Sequence, residues 1–286
     1  MPEKILHSQL PAPFIFSQSS LQDYVDCNRR FQLRYIEHLQ WPAVETAPVL
    51  ENERRQIEGQ QFHRMLHQYF LGLPIDKINA MAKNSNSQNL ARWWDHFQTE
   101  RFANQIVGTF HDERTTFPEQ TLSAPLGGQR ITAKYDLIAI KDGRATIYDW
   151  KTYHKRPRDE WMAIRLQTRV YLSLLIAAGA HLNGGQPFAP ENVEMVYWYA
   201  EFPSEPSRFP YDKQHHDQDW AGLSNLLREI SAKQSFPLTE DEKKCGFCPF
   251  RSYCERGIRA EAGEESETGA DSDWELNLEQ IQEIEF

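Results

Sequence analysis

The sequence predicts an α/β core carrying a helical cap at its N-terminal end, on three observations. Apolar residues recur with helical spacing as far as Phe97. From 115 to 151 the texture turns strand-like around the tight-turn dipeptide Asp142-Gly143. A helix, a strand and another helix then follow in turn, the alternation expected of a layered α/β protein.

The first helix is expected from the Ser19-Ser20 pair, whose hydroxyls suit an N-cap, with Leu21, Tyr24, Val25, Phe31 and Tyr35 as its apolar positions. A second begins after Glu51, with Phe62, Met65, Leu66, Tyr69 and Phe70 on one stripe. A third carries Leu90, Trp93, Trp94 and Phe97. Gln129–Ile140 and Arg144–Lys151 flank the Asp-Gly turn as a β-hairpin. A helix is expected from about Asp159 to Ala178 with Gly179 as its C-cap, a strand over Val193–Phe202, and a helix over Trp220–Lys233. An acidic Gly/Glu/Ser linker and a short amphipathic tail, Trp274–Phe286, close the chain. The expected organisation is one domain over 1–258 and an acidic tail over 259–286.

The 286 residues are 40% hydrophobic and 12% aromatic, enough to bury a real core. The net charge of −10 sits in the tail: Glu261 to Phe286 holds ten acidic residues and no Lys or Arg. The body is balanced, so the bulk charge does not exclude a nucleic acid. The longest weakly polar run, Val170 to Ala180, is too short to cross a bilayer. With no basic-then-apolar leader, the expectation is a cytoplasmic protein without membrane association.

Chemistry concentrates on the hairpin. In Asp149-Trp150-Lys151 the acid and the base lie two residues apart on a strand and share a face, and Asp136 lies on the partner strand. Paired carboxylates repel unless a cation or a shared proton lies between them, and Mg²⁺ is commonly held by one or two carboxylates plus water. A lysine beside such a site can act on an attacking water or offset charge on a phosphorane. Taken alone, Asp-x-Lys is commonly a solvated surface pair. His63 lies beside the stripe of the second helix; Glu119, with Glu113 nearby, is an acid before the hairpin; Gln167 and Tyr171 share one helix face.

The cysteines are Cys27, Cys245, Cys248 and Cys254. Two disulfides would suit an exported chain, whereas four thiolates on one metal suit a reducing cytosol. A zinc ribbon shows two close pairs; one distant cysteine with a C-terminal trio instead clips two ends of a domain together.

In this order the residues resemble the PD-(D/E)XK nuclease superfamily, in its RecB-like branch, which includes the AddB nuclease domain and CRISPR adaptation exonucleases. The matching pieces are Gly59 to His63, Glu119, Asp136 (with Ala133 where the branch has glycine), Asp149 to Thr152, and Gln167 with Tyr171. A second match is Ser19, Leu21, Tyr24, Cys27, Arg29, Arg30 and Phe31 together with the C-terminal cysteines. The resemblance implies a restriction-endonuclease-like core, a mixed central sheet flanked by helices, with a cysteine-clipped C-terminus. It implies a divalent-metal-dependent DNA nuclease directed to ends or single strands, in repair, recombination or defence. His63, Asp136 and Asp149 would hold Mg²⁺ or Mn²⁺, Lys151 would act on the water, and Glu119 would complete the catalytic set. Gln167 and Tyr171 would line the DNA path.

The four cysteines would hold a 4Fe–4S cluster, with Zn²⁺ the alternative in the same thiolates. From charge and position, Arg29, Arg30, Lys155 and Arg156 are candidates to grip phosphates. A helicase or other repair or defence protein is the expected partner. Two other readings use the same residues: a non-catalytic DNA-binding or assembly module, and a zinc-stapled RNA-processing nuclease.

Overall fold

The computed structural model describes residues 9–39, 47–99, 115–246 and 248–257. The acidic linker, the amphipathic tail and Glu113 lie outside the described residues. The chain divides into two compact units, one built from Pro13–Gln18 with Ile57–Ala232, the other from Ser19–Gln56 and the segment beginning at Lys233. Where one domain to 258 is expected, the strands and the cysteines fall in separate units. Among the described residues no helix is long and apolar enough to cross a membrane.

The larger unit is a mixed six-stranded sheet flanked by helices, as the sequence predicts. Its strands are β1 (Ile15–Ser17), β2 (Thr115–Leu126), β3 (Gln129–Lys141), β4 (Arg144–Lys151), β5 (Val193–Tyr199) and β6 (Phe202–Pro210). The path runs β1-β3-β4-β5-β6, with β2 antiparallel to β3. The β3–β4 pair is the expected antiparallel hairpin, and β4 pairs parallel with β5.

The expected strand Val193–Phe202 is two strands. It turns at Ala200 and Glu201, just past the last β4–β5 rung, in which Ala200 N–H donates to Lys151 O at 2.8 Å; Trp93 Nε1 holds Glu201 Oε1 at 2.8 Å in the turn. Sequence patterning hides β6 because Pro203, Pro206 and Pro210 remove backbone donors. Such a strand is tolerable where it pairs on one side only, as β6 does with β5.

The helices are α1 (Gln18–Asp26), α2 (Asn28–Phe31), α3 (Ala47–Phe70), α4 (Ile75–Asn84), α5 (Gln88–Thr99), α6 (Asp159–Ile164), α7 (Leu166–Ala178) and α8 (Lys213–Ala232). Three differ from expectation at their starts: α1 begins before the Ser19-Ser20 pair, α3 before Glu51 and α8 before Trp220. Helix α4 is unforeseen, since it buries only Ile78 and Ala82. The helix expected over 159–178 is two, broken at Arg165, whose backbone is extended (φ −61°, ψ 145°). Thr168 Oγ1 donates to the Met162 carbonyl at 2.6 Å across that break. Gly179 does cap α7, in a right-handed conformation.

The core of this unit is aromatic. Phe62, Phe70, Trp93, Trp94 and Phe97 of α3 and α5 cluster with Tyr148, Trp150 and Trp198 of β4 and β5. Trp150 stacks on Phe70 with centroids 5.9 Å apart and an 8° interplanar angle. Alternation along β4 therefore commits Tyr148 and Trp150 to the α3–α5 side, and turns Asp149 and Lys151 to the opposite face.

In the smaller unit, the first expected helix breaks at Cys27, which is extended (φ −159°, ψ 111°), and then widens into a π-helical turn over Gln32–Ile36. Val25, expected on the apolar stripe, is 51% exposed. Phe31 stacks on Phe236 at 5.9 Å, Tyr24 meets both rings edge-on, and Arg29 N–H donates to Pro237 O at 3.1 Å. The early and late chain segments thus share one small core within this unit.

Candidate active site

Strand register builds the site. The β3–β4 ladder pairs Leu137 with Tyr148 and stops there, so Asp136 and Asp149 are directly opposed at the first position beyond it. On its other edge β3 pairs with β2 at Leu137 and Tyr135 but not at Asp136, and the residue opposite is Glu119, at φ +52°. A left-handed glutamate is costly and persists only where the surroundings impose it, which happens most often at functional positions. Packing also changes here: Tyr135 lies against Tyr171 of α7 at 4.7 Å, whereas Leu137 joins the aromatic cluster under α3 and α5. Both ladders open at Asp136, and the three acids span neighbouring strands at that break.

Asp136 uses the opening. Its Oδ2 accepts the Trp150 backbone N–H at 2.8 Å, and its Oδ1 lies 3.2 Å from His63 Nδ1 on α3. Burial alone would raise its pKa, but His63, the Trp150 N–H and the Lys151 charge together hold it below the ordinary carboxylate range. His63 is within reach because α3 passes close to the end of β4. A Cβ on Gly59 would stand 3.1 Å from Thr152 Oγ1, a tight contact that glycine at the head of the Gly59–His63 match avoids.

Asp149 and Lys151 are buried, at 3% and 5% exposure, and Lys151 Nζ lies 3.0 Å from Asp149 Oδ1. Gln167 of α7 bridges them: its Nε2 donates to Asp149 Oδ2 at 2.6 Å, and its Oε1 accepts from Lys151 Nζ at 3.0 Å. Lys151 Nζ also sits 5.6 Å and 5.5 Å from the ring centres of Tyr153 and Tyr197. A buried ion pair persists only when its remaining hydrogen-bonding capacity is met, and Gln167 meets part of it on both partners.

Several predicted residues are employed differently from the expectation. Gln167 and Tyr171 are 2% and 4% exposed, so they support the site from beneath rather than line a path. Tyr171 Oη donates to the Lys134 carbonyl at 2.8 Å, and Tyr135 Oη donates to the Tyr171 carbonyl at 2.9 Å. Glu119 pairs with Lys134. Arg156 is tied to Glu205 O, Asp159 and Ser207 and stacks over Tyr199, while Lys155 is exposed. In the smaller unit Arg30 pairs with Asp23 and Asp26, and Arg29 donates to Gln32. Tyr197 is the site residue that sequence reasoning missed, because on a strand as apolar as β5 its hydroxyl reads as core.

Cys27 and the C-terminal trio lie in one unit, and the thiols lie within electrostatic range of one another. Burial pushes the Cys248 thiol up to about 11, with Cys254 and Cys27 adding to the rise against Arg30 and a backbone N–H. Burial likewise raises Cys245 and Cys254, while Arg256, Arg29 and Arg30 pull the other way. Among the described residues no group of three or more His, Cys, Asp or Glu is arranged to hold a metal ion.

A family model for the PD-(D/E)XK nuclease superfamily matches residues 15–255. The chain belongs to that superfamily. No curated protein matches it. Among solved structures it is similar to SSO0001, at 13% identity and TM-score 0.38, covering 88% of this chain and 90% of that one. It is also similar to a candidate exonuclease from Eubacterium rectale, at 8% identity and TM-score 0.42, covering 75% and 80%. At these values neither likeness carries an argument about function.

Proposed function

We propose that the chain is a divalent-metal-dependent DNA nuclease of the RecB-like branch that hydrolyses phosphodiesters at ends or in single strands. The observation that carries this reading is the buried Asp149–Lys151 pair bridged by Gln167, opposite an Asp136 held ionised beside His63. A surface Asp-x-Lys pair would be neither buried nor bridged.

Asp136 and Asp149 are the carboxylate donors that hard cations take, and Asp136 is held below the ordinary carboxylate range, while His63 would add an imidazole after the side chains rearrange around the ion. Asp136, Asp149 and His63 would hold Mg²⁺ or Mn²⁺, which when bound would polarise the phosphate and acidify water. Lys151 acts on the attacking water, and its charge offsets the negative charge building on the phosphorus centre. Gln167 fixes Lys151 relative to Asp149, so neither side chain must reorganise during the reaction. Glu119 completes the catalytic set from the strained position beside Asp136.

In the smaller unit Cys27, Cys245, Cys248 and Cys254 would hold a 4Fe–4S cluster, as the family resemblance implies, with Arg29, Arg30 and Arg256 working against the rise that burial imposes on the thiols. When bound, such a cluster would tie the two segments of that unit together. We propose a setting in DNA repair, recombination or defence, with a helicase or other repair protein as partner.

The test is cleavage of linear and circular, single- and double-stranded DNA with Mg²⁺ or Mn²⁺. Equal cleavage by wild type and Lys151→Ala sinks the mechanism. A protein that binds DNA without metal-dependent cleavage is an assembly module instead. Brown protein absorbing near ~400 nm supports the cluster, and colourless protein carrying zinc overturns it.

A further inference from the structure

We infer that α6 and the break after it form a seat for an unpaired nucleobase next to the reacting phosphate, so that the substrate strand is single or frayed where it is cut. This inference rests on the nuclease reading and specifies what that site accepts.

Helix α6 has little stake in the core. Met162 is its buried residue, whereas Ile164 is 71% exposed and Trp161 only half-buried. One exposed isoleucine is ordinary on a protein surface. This one lies three residues from an indole and so on the same flank of the helix. The guanidinium of Arg165 stands 4.5 Å over the Trp161 ring, although Arg165 itself is 8% exposed. An aromatic ring backed by a fixed cation, with an aliphatic side chain beside it, is the equipment that holds a stacked base near a phosphate.

Position connects this surface to the chemistry. The extended backbone of Arg165 ends α6 two residues before Gln167, which bridges Asp149 and Lys151. The Arg165 charge also reaches Tyr197, which flanks Lys151. The loop leading from β4 into α6 carries Lys155 and Arg158, both exposed and complementary in charge to a phosphate backbone. A base within a duplex is stacked on both faces and cannot use such a seat, whereas an unpaired base can.

The experiment measures binding of a fluorescent oligothymidylate by anisotropy, with Ca²⁺ as the divalent ion to limit cleavage. Wild type, Ile164→Ala and Trp161→Ala are compared on that strand, on the same strand with abasic sites, and on a blunt duplex. Ile164→Ala is expected to weaken oligothymidylate binding several-fold and Trp161→Ala about tenfold or more. Neither change should alter binding to the abasic strand, which offers no ring to stack. Equal losses on the normal and abasic strands, or no loss on either, overturn the inference, as does a wild type that ignores the oligothymidylate. Ile164 is exposed enough that its variant folds, which keeps the test decisive if Trp161→Ala does not. Failure of the nuclease reading looks different: base-dependent binding persists, but Mg²⁺ and Mn²⁺ give no cleavage beyond Lys151→Ala.

Discussion

Lys151 and Asp149 are charged side chains with almost no exposure, and burial makes each depend on the other. Replacing Lys151 with alanine should lower the cleavage rate by about 10²-fold or more, the range for a positioned acid–base group. Gln167→Ala should lower it less and leave substrate affinity nearly unchanged, because Gln167 is buried behind the pair. Single-turnover rates set beside anisotropy binding would separate the two effects.

Asp136 supplies the pH dependence. Its carboxyl is held below the ordinary range, so the native state prefers it ionised. The resulting stability is fully present above its unfolded pKa of about 4 and is lost as pH falls through the lower native value. Acid unfolding followed by circular dichroism should show the stability gap between wild type and Asp136→Asn narrowing below about pH 4. A constant gap across that range would contradict the ionised assignment.

At the scale of elements, the site depends on how α3 meets the end of β4. Gly59 allows the approach, and His63 follows one turn later on the same helix. Gly59→Ala must displace either Thr152 or the helix by a few tenths of an ångström. The expected result is a larger loss in kcat than in thermal stability, read by cleavage kinetics and a melting curve on the same preparation. The aromatic layer should respond the opposite way. Trp198 is fully buried, and Trp198→Ala should cost about 3–5 kcal/mol, the range for large-to-small aromatic changes in cores. Much of the element plan was legible in the sequence: the hairpin, the aromatic helices and α8 are written in periodicity and in Asp142-Gly143. The breaks were not. Arg165 and Cys27 interrupt helical patterns that continue on both sides of them, and no local propensity marks either residue as a breaker.

For the whole molecule, the cysteines and the carboxylates belong to separate compact units. If the four thiols hold the proposed cluster, Cys248→Ser should abolish its brown colour and lower the melting temperature. If the cluster is structural, residual cleavage by the soluble fraction should persist; if it takes part in the reaction, cleavage should vanish with the colour. Iron content and nuclease activity measured on one sample distinguish the outcomes.

By itself the sequence determined which residue types recur and in what order: an Asp-x-Lys strand, a histidine helix before it, a Gln/Tyr helix after it, and four cysteines. Order along the chain is a one-dimensional property, and a family model matches residues 15–255. Only the tertiary structure decided what those side chains do. It opens both ladders at Asp136, turns Gln167 inward to join Asp149 with Lys151, and ties Arg30 and Arg156 into local networks. The physical reason is that burial and partnership depend on which distant segments pack together, and local spacing fixes only the face from which a residue starts.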